Sequence, residues 1–474
     1  MRILFAAAEI APLTKIGGLA DVVRSLPAEL IKAGHDVRVI VPHYGFLDLS
    51  SYQPEIISPD FFMLSLQVYH RTQVSRINIE GIPVYLLNSD VIAGTSSVYG
   101  ADEIGKFFIF CQAVCEVIPR LSWQPEIIHC HDWHTSLIPL LARRKNLPQG
   151  TLLTIHNVRY QGNFDGPFLN KTGLQDCWQA SVGSVPSIPL NFLSMGVLWS
   201  DIINTVSEGF AREILTAEQG WGMESLLNLR KENLYGIVNG LGYEEYDLEG
   251  DGFIKAKYSR SDLKGKAVNK KALQSLAGLK TDPAVPLIGM VSRLVEQKGL
   301  NIIVKAIRKM IKDTEVQFIF LGRGTEQYEE ALMELETRYP DHVRAFITFD
   351  SEKAHLIYAG ADMFLMPSLF EPCGLGQLIA MRYGTVPIVR ETGGLADTVK
   401  KLSANLSSGN GFVIKNYDYM ELADIIRRAA ECYGNQPAWQ KVVKRIMALD
   451  FSWKEPVLRY ESLYTKAVKY NAGE

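Results

Sequence analysis

Lysine beside paired glycines, histidine beside aspartate, and glutamate beside a glycine turn each follow an apolar run in this chain, where a strand end would hold them. The segment Lys15-Ile16-Gly17-Gly18-Leu19-Ala20-Asp21 comes after the apolar residues 3–8 and opens a helical pattern. Gly17 and Gly18 permit a ligand to approach the backbone, the helix start offers N–H groups to an anion, and Lys15 adds charge for phosphate. The loop is not a Walker A sequence, which ends in Gly-Lys-Ser/Thr, nor the Gly-x-Gly-x-x-Gly of dinucleotide folds. In Ser292-Arg293-Leu294-Val295-Glu296-Gln297-Lys298-Gly299, Arg293 and Lys298 straddle a strand-to-helix loop. Fixed cations there would neutralise a diphosphate leaving group, although each alone also fits a solvated basic loop. Glu371-Pro372-Cys373-Gly374-Leu375-Gly376 sets a carboxylate beside glycine-rich backbone at another helix start. The backbone of Gly374, Leu375 and Gly376 suits phosphate oxygens, and Glu371 suits sugar hydroxyls or positive charge developing at an anomeric carbon. Cys373 reads as a packed thiol, since no base accompanies it.

His131-Asp132-Trp133-His134 and His156-Asn157 follow two further apolar runs, at 127–130 and 152–155. The closeness of His129, His131 and His134 raises a metal site, but no further ligands stand at zinc spacing. The other reading is a sugar-binding wall to which Trp133 adds apolar surface. His156 by itself also fits a histidine held by backbone hydrogen bonds. Asp247-Leu248-Glu249-Gly250-Asp251-Gly252 imitates a calcium loop, yet Tyr258 occupies the twelfth position, where a bidentate Glu is needed.

The elements that must position these residues alternate in βα order. Strands are predicted over 3–8, 37–41, 84–87, 127–130, 152–155 and 202–206, with a helix placing Leu19, Val22, Val23, Leu26 and Leu30 on one face and ending at Gly34. Short valine-rich strands point to a parallel sheet buried on both faces. After a polar interval between Tyr243 and Pro286 the same grammar resumes. Strands are predicted over 287–291, 316–321, 343–349, 363–366 and 386–389, with a helix burying Leu300, Ile303, Val304, Ile307 and Met310. Two doubly wound α/β domains are therefore expected, with their strand ends facing a cleft. Gly17-Gly18-Leu19-Ala20-Asp21 recurs as Gly393-Gly394-Leu395-Ala396-Asp397, either as shared helix-start grammar or as two anion loops.

A net charge of −3 over 474 residues supplies no field for a polyanion, which excludes nucleic acid as the expected partner. Six cysteines without a Cys-x-x-Cys pair point to a reducing, cytoplasmic setting. The apolar start stops at Glu9, far short of the roughly 20 residues that span a bilayer, and shows no secretory cleavage pattern. No membrane partner is expected.

In order along the chain stand Lys15-x-Gly-Gly-Leu-Ala-Asp-Val, His131-Asp-Trp-His, Thr154-Ile-His-Asn, Gly236-Ile-Val-Asn-Gly and Ser292-Arg-Leu-x-x-Gln-Lys-Gly, then Pro367-Ser-Leu-Phe-Glu-Pro-Cys-Gly-Leu and Thr392-Gly-Gly-Leu-x-Asp-Thr. This set resembles the bacterial glycogen synthase and plant starch synthase family of retaining glucosyltransferases over nearly the whole chain. The resemblance implies two Rossmann-like domains in the GT-B arrangement, residues 1–240 with the C-terminal helix over 455–474, and residues 241–454. It implies glucose transfer from ADP-glucose, or less often UDP-glucose, to the non-reducing end of an α-1,4-glucan, without an essential metal or other cofactor. By the same resemblance Arg293, Lys298 and Lys15 would hold the diphosphate. Glu371, His156, Asn239 and Asp132 would surround the glucosyl unit. Gly374, Leu375 and Gly376 would present backbone groups to phosphate, and Gly17, Gly18, Asp21, Asn157, Cys373 and Thr392 would also bind substrate. Phe349 would pack on the base, and Tyr99, Trp133 and His134 would lie toward the acceptor.

The chain departs from the family in places. Asn239-Gly240-Leu241-Gly242 lacks the usual aspartate and the Trp-x-Pro that follows, Gly376 replaces a threonine, and the segment 99–103 is short and lacks an upstream arginine. A non-catalytic glucan-binding paralogue is the competing reading, although Lys15, Arg293, Lys298 and Glu371 are all retained. A GT-B transferase for another acceptor is a third, but Ile379 stands where many of these carry a second glutamate.

Overall fold

The computed structural model describes residues 1–100, 102–182 and 188–473, so Ala101 of the 99–103 segment and the terminal Glu474 lie outside the described residues. The chain divides into two compact units, Met1–Gly240 with Trp453–Glu474, and Leu241–Ser452.

In the first unit the described strands are β1 (Arg2–Ala6), β2 (Asp36–Pro42), β3 (Glu55–Ser65), β4 (Val68–Ile79), β5 (Ile82–Ser89), β6 (Ile127–His131), β7 (Gly150–Ile155), β8 (Ile202–Thr205) and β9 (Leu234–Gly236). They form one sheet in the order β3-β4-β5-β2-β1-β6-β7-β8-β9. From β5 to β9 every pairing is parallel, with Ile3 opposite both Val37 and Ile127. Residues Ile3 to Ala6 are wholly buried, as a strand covered on both faces requires. One cover is the helix Gly18–Lys32, which buries Leu19, Val22, Val23, Leu26 and Leu30, with Gly34 just beyond it at φ 94°. Another is the chain's last helix, Lys454–Ala472, whose Tyr460, Leu463 and Tyr464 pack with Ile127 and Leu152.

This parallel sheet carries an antiparallel edge that the sequence reading lacks, because β3 pairs antiparallel with β4, and β4 with β5. The β3–β4 turn is made by Leu66 and Gln67, both at positive φ and neither a residue type that announces a hairpin. Pro59 and two register shifts interrupt β3, which suits an edge strand.

The second unit holds β10 (Leu287–Val291), β11 (Gln317–Leu321), β12 (Val343–Phe346), β13 (Met363–Met366), β14 (Val386–Arg390) and β15 (Phe412–Ile414), in the order β12-β11-β10-β13-β14-β15. All pairings are parallel. This is the 3-2-1-4-5-6 order of doubly wound sheets, whose switch point lies between the first strand and the fourth. The helix Leu300–Met310 buries Leu300, Ile303, Val304, Ile307 and Met310 against it. In the calcium-like segment Asp251 is turned inward, receiving the Tyr383 hydroxyl at 2.6 Å and pairing with His355 Nδ1 at 2.8 Å.

Gly289 in β10 sits under the helix Ser351–Gly360, and a Cβ there would lie 2.5 Å from Ile357 Cγ2 and 3.2 Å from the Ala361 Cβ. Ile357 is fully buried and has nowhere to retreat. A Gly289→Val protein is expected to lose about 1–3 kcal/mol by overpacking, read as an earlier calorimetric transition. An unchanged transition would show that the helix yields.

Candidate functional site

At the switch point of the second unit, the loops that leave β10 and β13 meet. Gly299, at φ 79°, lets them touch, since a Cβ there would lie 2.4 Å from the Pro367 carbonyl oxygen. Leu369 N–H donates to the Gln297 carbonyl at 2.8 Å, and Gln297 Nε2 donates to the Phe370 carbonyl at 3.2 Å. Within this brace Lys298 Nζ meets Glu371 Oε2 at 2.6 Å, their side chains 16% and 8% exposed. Ser368 Oγ donates to the same carboxylate oxygen at 3.0 Å. The loop after β14 closes the group. Arg390 donates to the Ser368 carbonyl at 2.8 Å and to the Leu369 carbonyl, and Gly394 N–H donates to the Glu371 carbonyl at 3.1 Å. A Cβ on Gly394 would stand 2.2 Å from the Cys373 carbonyl oxygen, so this glycine is needed for packing.

The structure thus brings Lys298 and Glu371 together. Arg293 lies on the same β10 loop, exposed and without a side-chain partner among the described residues. Gly374 has φ 73°, and Gln377 Nε2 fastens the turn by donating to the carbonyls of Cys373 at 3.2 Å and Gly374 at 2.8 Å. Leu375 caps the short helix Gly376–Arg382, Cys373 is buried, and Thr392 is buried at the start of Gly393–Thr398. Phe349 stands apart, 77% exposed beyond β12, two strands from β10.

In the first unit the corresponding point lies between β1 and β6. Glu9, just past β1 and only 2% exposed, organises the Lys15 loop. Its Oε2 accepts from Ile16 N–H at 2.7 Å and Gly17 N–H at 3.1 Å, and its Oε1 accepts from the Tyr99 hydroxyl. Burial, and next the charge of Glu9, push the Tyr99 hydroxyl far above its ordinary value. The Gly17 N–H is thus taken by a side chain of the same unit. Lys15 Nζ pairs with an Asp21 carboxylate oxygen at 2.6 Å. Gly18 is the exposed first residue of its helix. Glu9 was legible only as the acid that cuts short an apolar strand, and that signal alone could have marked it.

The loops after β6 and β7 are locked by Asp132. Its backbone is left-handed at φ 56°, and its Oδ1 accepts from His156 N–H at 2.7 Å and Asn157 N–H at 3.3 Å. Burial pushes this carboxyl up to about 7 against the pull of those two donors. His131 Nδ1 lies 2.9 Å from His156 Nε2. Burial holds His156 down to about 3 and His131 well below its ordinary value, the latter aided by His129 and His156, so both rings are neutral. Asn239 is buried, and its Oδ1 has no partner among the described residues.

Trp133 does not form an exposed apolar wall. It is 5% exposed, edge-on to Phe107 at 5.2 Å, and the segment at Gly162 (φ 66°) covers it so closely that a Cβ there would lie 2.2 Å from the indole. His134 is buried with it, against Trp133 at 4.3 Å, Phe107 at 4.6 Å and Tyr99 at 5.2 Å. As for a metal, the nitrogens of His129 are taken by the Tyr464 hydroxyl at 3.0 Å and Thr154 Oγ1 at 2.7 Å. Among the described residues no group of three or more His, Cys, Asp or Glu is placed to hold one. Nor is any described helix long and apolar enough to cross a membrane.

Residues 2–229 match the family model described as starch synthase catalytic domain, and residues 277–445 match glycosyl transferases group 1. The chain is 42% identical over 482 residues to a glycogen synthase of Geotalea daltonii, covering 98% of each protein. It is 39% identical over 486 residues to a glycogen synthase of Geotalea uraniireducens, covering 99% of each. Among solved structures, the catalytic domain of Starch Synthase IV from Arabidopsis thaliana bound to ADP and acarbose is similar at a TM-score of 0.90 and 32% identity, over 99% of both chains. Likeness of this extent, on two parallel α/β units whose motifs meet at their strand switch points, places the chain in the glycogen synthase and starch synthase family of GT-B glycosyltransferases.

Proposed function

We propose that this protein elongates an α-1,4-glucan, transferring glucose from ADP-glucose to the non-reducing end with retention of configuration. The observation that carries the reading is the Lys298–Glu371 pair, built into the switch point of a chain similar over 99% of its length to a starch synthase catalytic domain bound to ADP and acarbose. As the bond from the anomeric carbon to the donor phosphate breaks, negative charge grows on the departing diphosphate. Arg293, without a side-chain partner among the described residues, and Lys298, with ammonium donors beyond the one given to Glu371, would neutralise it without reorganising. Glu371 is aimed by Lys298 and Ser368, and its carboxyl oxygens can accept from sugar hydroxyls. In the first unit Lys15 would offer a further cation, and His156, Asn157 and Asn239 polar groups for the sugar. The charge work falls to side chains, so no metal is required.

The test is transfer of radiolabel from ADP-glucose or UDP-glucose into precipitable glycogen, with and without EDTA. Incorporation from ADP-glucose that EDTA leaves unchanged is expected. Label from neither nucleotide overturns the synthase reading, label from UDP-glucose alone overturns the donor, and loss with EDTA overturns the metal-free chemistry.

A further inference from the structure

The buried histidines of the first unit fix which ring nitrogen His156 can offer to a ligand. We infer that His131 is a positioning residue that locks His156 in the tautomer protonated on Nδ1, making it a permanent hydrogen-bond donor. This deepens the proposed function and rests on the reading that His156 meets the sugar.

One hydrogen bond, His131 Nδ1 to His156 Nε2 at 2.9 Å, joins the two rings, and a single proton lies in it. If His131 owns that proton, His156 Nε2 is the acceptor and the proton of neutral His156 must sit on Nδ1. His131 Nε2 is then a bare lone pair. If His156 owns it, neutral His131 must instead carry its proton on Nε2. That atom is buried and has no partner among the described residues, so the second arrangement strands an N–H donor in the interior. Orphaned buried N–H groups are rarer in folded proteins than undersatisfied acceptors, which decides for the first arrangement. Charging either ring to escape the choice is opposed by burial.

The lock is rigid at both ends. Phe5 stacks on the His131 ring at 5.2 Å, and His129 lies against it at 4.2 Å. His129 is itself held by Thr154 and by Tyr464 of the last helix. On the other side, the backbone of His156 is pinned by Asp132. His156 is only partly buried, and no protein group among the described residues takes its Nδ1. The ligand atom it selects must be an oxygen with a free lone pair, such as a sugar hydroxyl acting as acceptor.

The experiment uses the full-length protein labelled with ¹⁵N-histidine and long-range ¹H–¹⁵N spectra, assigned with a His156→Gln protein. The result expected is a neutral His156 protonated on Nδ1, unchanged from pH 6 to 8. In His131→Asp, whose carboxylate can only accept, a proton should appear on His156 Nε2, and kcat/KM should fall about tenfold, the loss of one aligned hydrogen bond. In His131→Asn an amide N–H can stand in for Nδ1–H, and both the tautomer and most of kcat/KM should return. A purely structural role for His131 would not move the tautomer. Wild-type protein showing Nε2–H on His156 overturns the inference even if His131→Asp does not fold, as does a folded His131→Asp protein with wild-type spectrum and rate. A protein that transfers no glucose yet shows Nδ1–H supports the lock and overturns only the synthase reading.

Discussion

Replacing Glu371 by alanine is expected to lower kcat by about 10²–10³-fold, the range seen when one preorganised electrostatic group is removed from a site. The carboxylate is nearly buried, yet its partners are few and local, Lys298 at 2.6 Å and Ser368 at 3.0 Å. On the proposed reading its loss removes an acceptor for the sugar, and it also releases Lys298 from a fixed position. Lys298 keeps some solvent contact and can hydrate, so the thermal transition should move little while the rate collapses. Glu371→Gln keeps the shape without the charge and should fall between the two. The measurement is steady-state glucose incorporation alongside calorimetry. An alanine variant at full rate would sink this placement of the site.

Asp362→Ala is expected to destabilise the second unit by about 3–5 kcal/mol, the usual cost of leaving one member of a buried ion pair alone. Asp362 and Lys270 meet at 2.7 Å with side chains 9% and 5% exposed, at the end of the sheet opposite the site. The same carboxylate oxygen accepts from Leu287 N–H at 2.8 Å and so ties the start of β10 to β13. Lys270 still reaches the carbonyls of Pro283 at 3.1 Å and Val285 at 2.7 Å, and the Tyr433 hydroxyl at 2.7 Å. Those dipoles soften the stranded charge and favour the lower end of the range. Against total domain stabilities of about 5–15 kcal/mol the change is large, and denaturant titration should resolve it. A loss under about 1 kcal/mol would mean that water reaches Lys270.

The βα grammar made the parallel core readable, because strands buried on both faces and helices with one apolar stripe leave different periods in the sequence. It also made the loops of β10 and β13 readable as neighbours, since strand order alone brings them to the switch point. The β3–β4 hairpin was not readable, because Leu66 and Gln67 adopt left-handed backbone without the residue types that usually do so. A motif names the strand end on which a residue stands, not the direction of its side chain. Trp133 and His134 turn into the core beneath Gly162 and Phe107, and only the packing could show it. Glu9 escaped for the complementary reason. A lone acid after a strand has no pattern, although its three hydrogen bonds order the Lys15 loop.

The first unit draws its last helix from the far end of the chain, and this sets an order of events during synthesis. His129, Ile127 and Leu152 wait for Tyr460, Leu463 and Tyr464, which leave the ribosome only after Leu241–Ser452 has been made. At about 5–20 residues per second that interval is on the order of 10–40 s. The first unit is thus completed only after the second has been made, and an apolar face of its sheet must stay soluble, or shielded by a chaperone, until Lys454–Ala472 arrives.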